Sequence, residues 1–397
     1  MARVIKWVVG LAVIAGLVYI GLVAVTGSQI RSIAENQLQT YNAQSPESDA
    51  EIVWHETGFW RSTGEVRVTM QLDDDLLEVV HTFSLRHGAL RASVEGDVRG
   101  SLGDTQLNDM LFADQAISLD GRIGLGGVRL TYAVPEIYYV DEALEMRSTA
   151  APFTLDLVLR EDEQHSQLHV EWVEIMSTAI GASDGLRWED IEVTSQARLN
   201  PDDGLFDYGH SIFRVGQMVF GDGEDSIARI EGLLNETDMT REAGMVDVDN
   251  RLTVEAYDVY GVGGDLTFNL QLGPIPFESF QNLQRQGDDS AAMSAFLYDM
   301  QQIDTRLIIE TLELTMGQMG DLVASGEFQV RQDIDLQQDF SIESAGDLME
   351  GQLEVRDLPL LLLMPLSGMV SGELPWTLEL RQGDLLINGE ALELPDM

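Results

Sequence analysis

Four polar side chains at alternate positions, His165, Gln167, His169 and Glu171, are the arrangement in this sequence closest to a metal site. Residues i and i+2 of a strand share a face, and imidazole and carboxylate are metal ligands. Such a site needs a further ligand that the spacing does not supply, and the plainer reading is a solvated strand face. Gly221-Asp222-Gly223-Glu224-Asp225 crowds carboxylates as a calcium loop does. It lacks the twelve-residue ligand spacing and closing glutamate of an EF-hand, so it reads as an acidic turn. The glycines of Gly121-Arg122-Ile123-Gly124-Leu125-Gly126-Gly127 invite a phosphate loop, but a strand-like VRLTYAV follows where a helix N-terminus is required. His55 and His87 fall in turn-like stretches with no matched nucleophile or base. Neither GxSxG nor HExxH occurs, and 68 acidic residues make chance carboxylate pairs abundant. No catalytic, cofactor-binding or metal residue is assigned, no cofactor is expected, and the reading is of a protein that is not an enzyme.

Composition narrows the chemistry further. The absence of cysteine excludes disulfides, thiolate nucleophiles, iron–sulfur clusters and Cys-type zinc sites. Lys6 is the only lysine, so Schiff-base chemistry is absent beyond it. Against 23 basic residues stand 68 acidic ones, a net charge of −45. A surface so negative repels nucleic acid and anionic headgroups. Disorder does not explain the acidity, because apolar alternation runs through most of the chain. A calcium-loaded surface lacks a loop motif. Halophilic adaptation fits best, since the Debye length shrinks to about 3 Å at 1 M salt.

The elements that would position any site begin with Trp7–Val25, nineteen residues without a charge. As a helix rising 1.5 Å per residue the run reaches roughly 28 Å, the hydrocarbon thickness of a bilayer. Arg3 and Lys6 precede it, and the next basic residue is Arg31, which places the N-terminus in the cytoplasm and the bulk outside. A cleaved signal peptide is the rival, but the run is longer than a typical apolar region and Ala24-Val25-Thr26 is a poor cleavage site. The expected order is a cytoplasmic N-terminus at 1–6, a transmembrane helix at 7–25, a juxtamembrane amphipathic helix at 26–41, and a periplasmic β-rich domain at 42–397, with room for two sub-domains.

Within that domain Val66, Val68, Met70 and Leu72 alternate with polar residues, as do Phe153, Leu155, Leu157 and Leu159, and later Leu374, Trp376, Leu378 and Leu380. One-face alternation predicts antiparallel strands, and Asp203-Gly204, Asp222-Gly223 and Asn388-Gly389 read as hairpin turns. Helices are expected over Ile275–Gln284 and Ser290–Ile303. Leu358–Leu366 is too short to span a bilayer and reads as a buried turn of helix, with an interfacial or lipid-facing patch as the alternative. The fold class is therefore mainly β, a large antiparallel sheet with a few covering helices after one transmembrane helix.

The chain resembles the YdgA-like proteins, an uncharacterised family anchored in the inner membrane of Gram-negative bacteria. The shared features are Thr26-Gly27, then Gly58-Phe59-Trp60-Arg61-Ser62, then His87-Gly88-Ala89 where the family usually has proline third. The passage from Leu252-Thr253-Val254 through Gly261 and Gly264 to Leu272, and the ending Gly383–Gly389, are similar too. The resemblance implies location and architecture, since the family has no agreed biochemical role. The expected localisation is the inner membrane, single-pass, with the bulk in the periplasm. The expected function is a scaffold or partner-binding role in the cell envelope. The alternative is lipid handling through an apolar groove between β-sheet faces. The partners are accordingly the inner membrane and envelope proteins or lipid, with no nucleic acid.

Overall fold

The computed structural model describes residues 42, 48–57, 61–72, 75–87, 91–124, 127–141, 143–160, 162–177, 185–199, 206–221, 226–285, 290–331, 349–359, 374–381 and 384–391. The expected transmembrane helix (7–25), the juxtamembrane helix (26–41) and nearly all of Leu358–Leu366 lie outside these residues. So do the turns at Asp203-Gly204 and Asp222-Gly223. Among the described residues no helix is long and apolar enough to cross a membrane.

The chain is mainly β, one large antiparallel sheet with few helices. It divides into two compact units, the first ending at Gln196 and the second beginning at Ala197.

The first unit contains β1 (Ser48–Thr57), β2 (Arg61–Leu72), β3 (Asp75–His87), β4 (Arg91–Leu102), β5 (Thr105–Gln106), helix α1 (Leu107–Phe112), β6 (Ile117–Gly124), β7 (Gly127–Val134), β8 (Ile137–Asp141), β9 (Met146–Ala150), β10 (Phe153–Leu159), β11 (Glu163–Ser177) and most of β12 (Gly185–Leu199). Pairing runs β1-β2-β3-β4-β6-β7-β10-β11, every pair antiparallel. β7 with β8 and β10 with β9 make one long hairpin, broken on both sides at Pro135-Glu136 and Ala151-Pro152, where proline cannot donate to the ladder.

Burial in this unit follows a strict alternation: β6 reads buried at Ile117, Leu119, Gly121 and Ile123 and exposed between them. The inward side chains of β2, β3, β4, β6 and β7 join α1 in one core. His81 on β3 and Tyr132 on β7 meet with ring centroids 5.8 Å apart. Those strands are three pairings apart, about 14 Å at the usual inter-strand spacing, so the sheet curls to bring the two rings together. Gly96 permits close approach here, because a Cβ there would stand 2.1 Å from the carbonyl oxygen of Thr82. Asn108, 1 % exposed, ties α1 to the sheet: its Oδ1 accepts from the Gly100 N–H at 2.8 Å and its Nδ2 donates to the Gln115 carbonyl at 2.8 Å.

The second unit is a plain meander: β13 (Phe206–Phe220), β14 (Ala228–Glu242), β15 (Met245–Val259), β16 (Val262–Pro276), helices α2 (Phe277–Arg285) and α3 (Ser290–Gln302), β17 (Arg306–Thr315), β18 (Asp321–Val330), β19 (Met349–Asp357), β20 (Trp376–Arg381), β21 (Asp384–Ile387) and β22 (Glu390–Ala391). Each strand from β13 to β21 pairs antiparallel with the next. Ala243-Gly244, Tyr260-Gly261 and Asn388-Gly389 close two-residue turns with both residues at positive φ. That is the backbone of a type I′ hairpin.

Candidate functional site

The polar quartet lies on β11 as one exposed face. Gln167 Nε2 donates to Glu192 Oε1 at 3.3 Å and His169 Nε2 lies 3.1 Å from Asp190 Oδ1, both partners on β12. These are cross-strand pairs in water. Among the described residues no group of three or more His, Asp or Glu could hold a metal ion. Gly121 and Gly124 belong to β6 and Gly127 opens β7, so the glycine-rich stretch joins two paired strands. Residues 222–225 of the acidic loop lie outside the described residues. His55 and His87 stand on strands, not in turns. His55 is on β1 with Nε2 3.4 Å from Glu65 Oε2, and His87 ends β3 opposite Ala92. Both strands run further than the sequence suggested.

Two arrangements were absent from the sequence reading. The first is His81, wholly buried among Leu77, Val79, Phe83 and Leu85 of the same strand. Neither ring nitrogen has a hydrogen-bond partner, and the Tyr132 hydroxyl beside it has none either. Burial lowers the imidazole pKa to about 3 and pushes the phenol up. A neutral imidazole in a dry core cannot exchange protons with a substrate, so the pair is a structural element. Its signal was available: His81 shares the parity of the apolar residues of β3.

The second is the apolar face of the second unit. Cross-strand register aligns Val215, Leu233, Val254, Leu266 and Leu314 in one row over β13–β17. Phe268 and Leu312 line up with Leu252 in the next. The opposite face carries Arg251, Glu236, Gln271 and Glu310, joined by pairs such as Gln271 Nε2 to Glu310 Oε1 at 2.7 Å. The β15–β16 pairing shifts register between Val254 and Tyr257, and beyond that point Met218, Ile230 and Tyr257 align across β13–β15.

Cover over this face is uneven. At one end Met300, Phe296 and Leu297 of α3 pack on Leu272, Val330 and Met349. The helices are fastened there: Ser279 hydrogen-bonds Asp299, Gln301 donates to the Arg331 carbonyl, and Thr305 Oγ1 donates to the Pro274 carbonyl at 2.5 Å. At the far strands Leu358 and Trp376 close a small core with Ala324, Val355 and Ile387. Between these, Val215 and Val254 are buried, whereas Phe213, Leu233, Leu252, Leu266, Phe268 and Leu270 remain only half-buried. At the strand ends away from the helices, Tyr260 is 81 % exposed, Ile227 40 % and Val259 37 %.

A polar row crosses this face. Ser211, Thr237 and Asn250 are consecutive cross-strand partners, and Asn235 sits beside them between Phe213 and Leu252. Asn250 Nδ2 donates to Asn235 Oδ1 and to Thr237 Oγ1, both at 2.8 Å. On the opposite face, Tyr208 Oη donates to Asp238 Oδ1 at 3.0 Å, and His210 Nδ1 lies 2.8 Å from the same oxygen. Desolvation first, then the hydrogen bond and charge of Asp238, raises the Tyr208 pKa.

Residues 3–318 match the model of a family described as a bacterial protein of unknown function, DUF945. No curated protein and no solved structure matches the chain significantly.

Proposed function

Since the chain belongs to that bacterial family of unknown function, membership brings no activity with it, and we propose a role from geometry: an envelope protein that handles lipid. It is anchored in the inner membrane as the YdgA-like proteins are, and its second unit receives acyl chains on the apolar face of β13–β17. The half-burial of Leu252, Leu266 and Phe268 carries this reading. In the first unit the inward residues of β3, β4, β6 and β7 are mostly buried, with partly buried ones such as Trp54, Phe153 and Leu155 at the margin, so the half-burial is more extensive in the second unit. Covering a large apolar side chain is worth about 1.5–3 kcal/mol when complete, and an alkyl chain lying along the rows supplies the missing cover. A sheet with one apolar face needs a helix, a second sheet or a ligand over it.

Mass spectrometry of the full-length protein, extracted in mild detergent, tests this. Phospholipid is expected to co-purify above the level of an unrelated single-pass protein, and Phe268→Asp with unchanged circular dichroism is expected to lose it. Equal lipid in both variants overturns the reading.

Partner binding, the second reading, is favoured by the exposed apolar cluster of Ile227, Val259 and Tyr260, where the Tyr260 N–H donates to the Ile227 carbonyl. A photo-cross-linker at position 260 is expected to capture an envelope protein if that cluster is the docking point. No adduct in intact cells removes it.

A further inference from the structure

We propose that the row formed by Ser211, Asn235, Thr237 and Asn250 selects glycerolipids by hydrogen-bonding their ester carbonyls, an inference that rests on the lipid-handling reading above. The four side chains are half-buried within a face that is otherwise apolar, and their neighbours in register are Phe213, Leu252 and Leu270. A purely hydrocarbon occupant would leave the hydrogens these groups do not use on one another without acceptors, and desolvating an unmatched amide or hydroxyl is costly. An occupant with acceptors midway along its length meets them.

The donors are the right kind. Asn250 uses both amide hydrogens on Asn235 Oδ1 and Thr237 Oγ1. That occupies the two acceptors and leaves the Asn235 amide hydrogens and the hydroxyl hydrogens of Thr237 and Ser211 as donors for an occupant. These donors suit carbonyl oxygens, which accept and cannot donate. No cationic side chain stands in the row, so it is matched to a neutral ester and not to a phosphate.

Position along the strands agrees. The Asn250 row stands two residues from Val248, whose partner Leu272 lies under α3, so the helices close that end. From Asn250 to Tyr257 the strand runs about 23 Å at 3.3 Å per residue. One leaflet of a bilayer is about 15 Å thick, so an extended acyl chain fits between the row and the exposed Tyr260 turn. The ester region is held beside the helices and the chains run away from them.

The test separates this inference from the reading beneath it. Full-length protein held in amphipol is titrated with dioleoylphosphatidylcholine and with its diether analogue, which keeps the chains and headgroup but lacks both carbonyls. The diester is expected to bind about fivefold more tightly, the effect of roughly one hydrogen bond. Asn250→Leu and the near-isosteric Thr237→Val are each expected to abolish that preference, the diether gaining as the diester loses, and retained binding of both lipids shows that the variants fold. Equal affinity of the natural protein for both lipids overturns the ester inference and leaves lipid handling standing. A preference that persists in both variants overturns it too. Failure to bind either lipid overturns both.

Discussion

The imidazole of His81 is fully buried and neither of its nitrogens has a protein partner, so burial alone sets its proton affinity. Unfolded, it titrates near 6.5; folded, at about 3. Below pH 6.5 the unfolded state therefore binds a proton that the folded state refuses. Stability that is present above 6.5 falls as pH drops through that window, at up to about 1.4 kcal/mol per pH unit. The urea midpoint of the protein should decline between pH 6.5 and 5, and His81→Phe should flatten that part of the profile. An unchanged slope in the variant would assign the decline to other groups. This residue was legible in principle, because Leu77, Val79, His81, Phe83 and Leu85 alternate without interruption. The same parity places Asn250 between Val248 and Leu252. Histidines that stand out in a polar run, such as His165 and His169, draw attention by type, whereas a group buried by register shows only through its neighbours.

At the scale of elements, hairpins announced by asparagine or by clean alternation were readable. Asn388-Gly389 forms the expected turn, and the two helices after β16 begin and end within two residues of their apolar pattern. The turns at Ala243-Gly244 and Tyr260-Gly261 carry no such signal, since alanine and tyrosine are poor residues for a left-handed backbone. There the long strands on either side impose the turn. Helix α1 was missed because six residues show less than two helical periods. Its hold on the sheet depends on Asn108, so Asn108→Ala should cost about 2 kcal/mol or more in equilibrium unfolding, by stranding the Gly100 N–H and the Gln115 carbonyl. A loss below 0.5 kcal/mol would mean that water replaces the amide.

For the molecule as a whole, the net charge of −45 dominates the response to salt. The charges repel through water, and the arginine–carboxylate pairs on the sheet faces are mostly exposed, so each contributes little. Screening should raise the urea midpoint markedly between 0.1 M and 2 M NaCl, and flat stability across that range would remove salt adaptation as the reason for the acidity. The contrast between a better-covered core in the first unit and a half-covered face in the second has a thermal counterpart. Unfolding adds apolar hydration in proportion to the area newly exposed, and that hydration is what raises the heat capacity. A strand face already partly wet adds less of it. The second unit should therefore have the smaller heat-capacity increment per residue and the flatter stability curve, keeping its fold over a broader span of temperatures, while the drier first unit loses more of its stability on cooling.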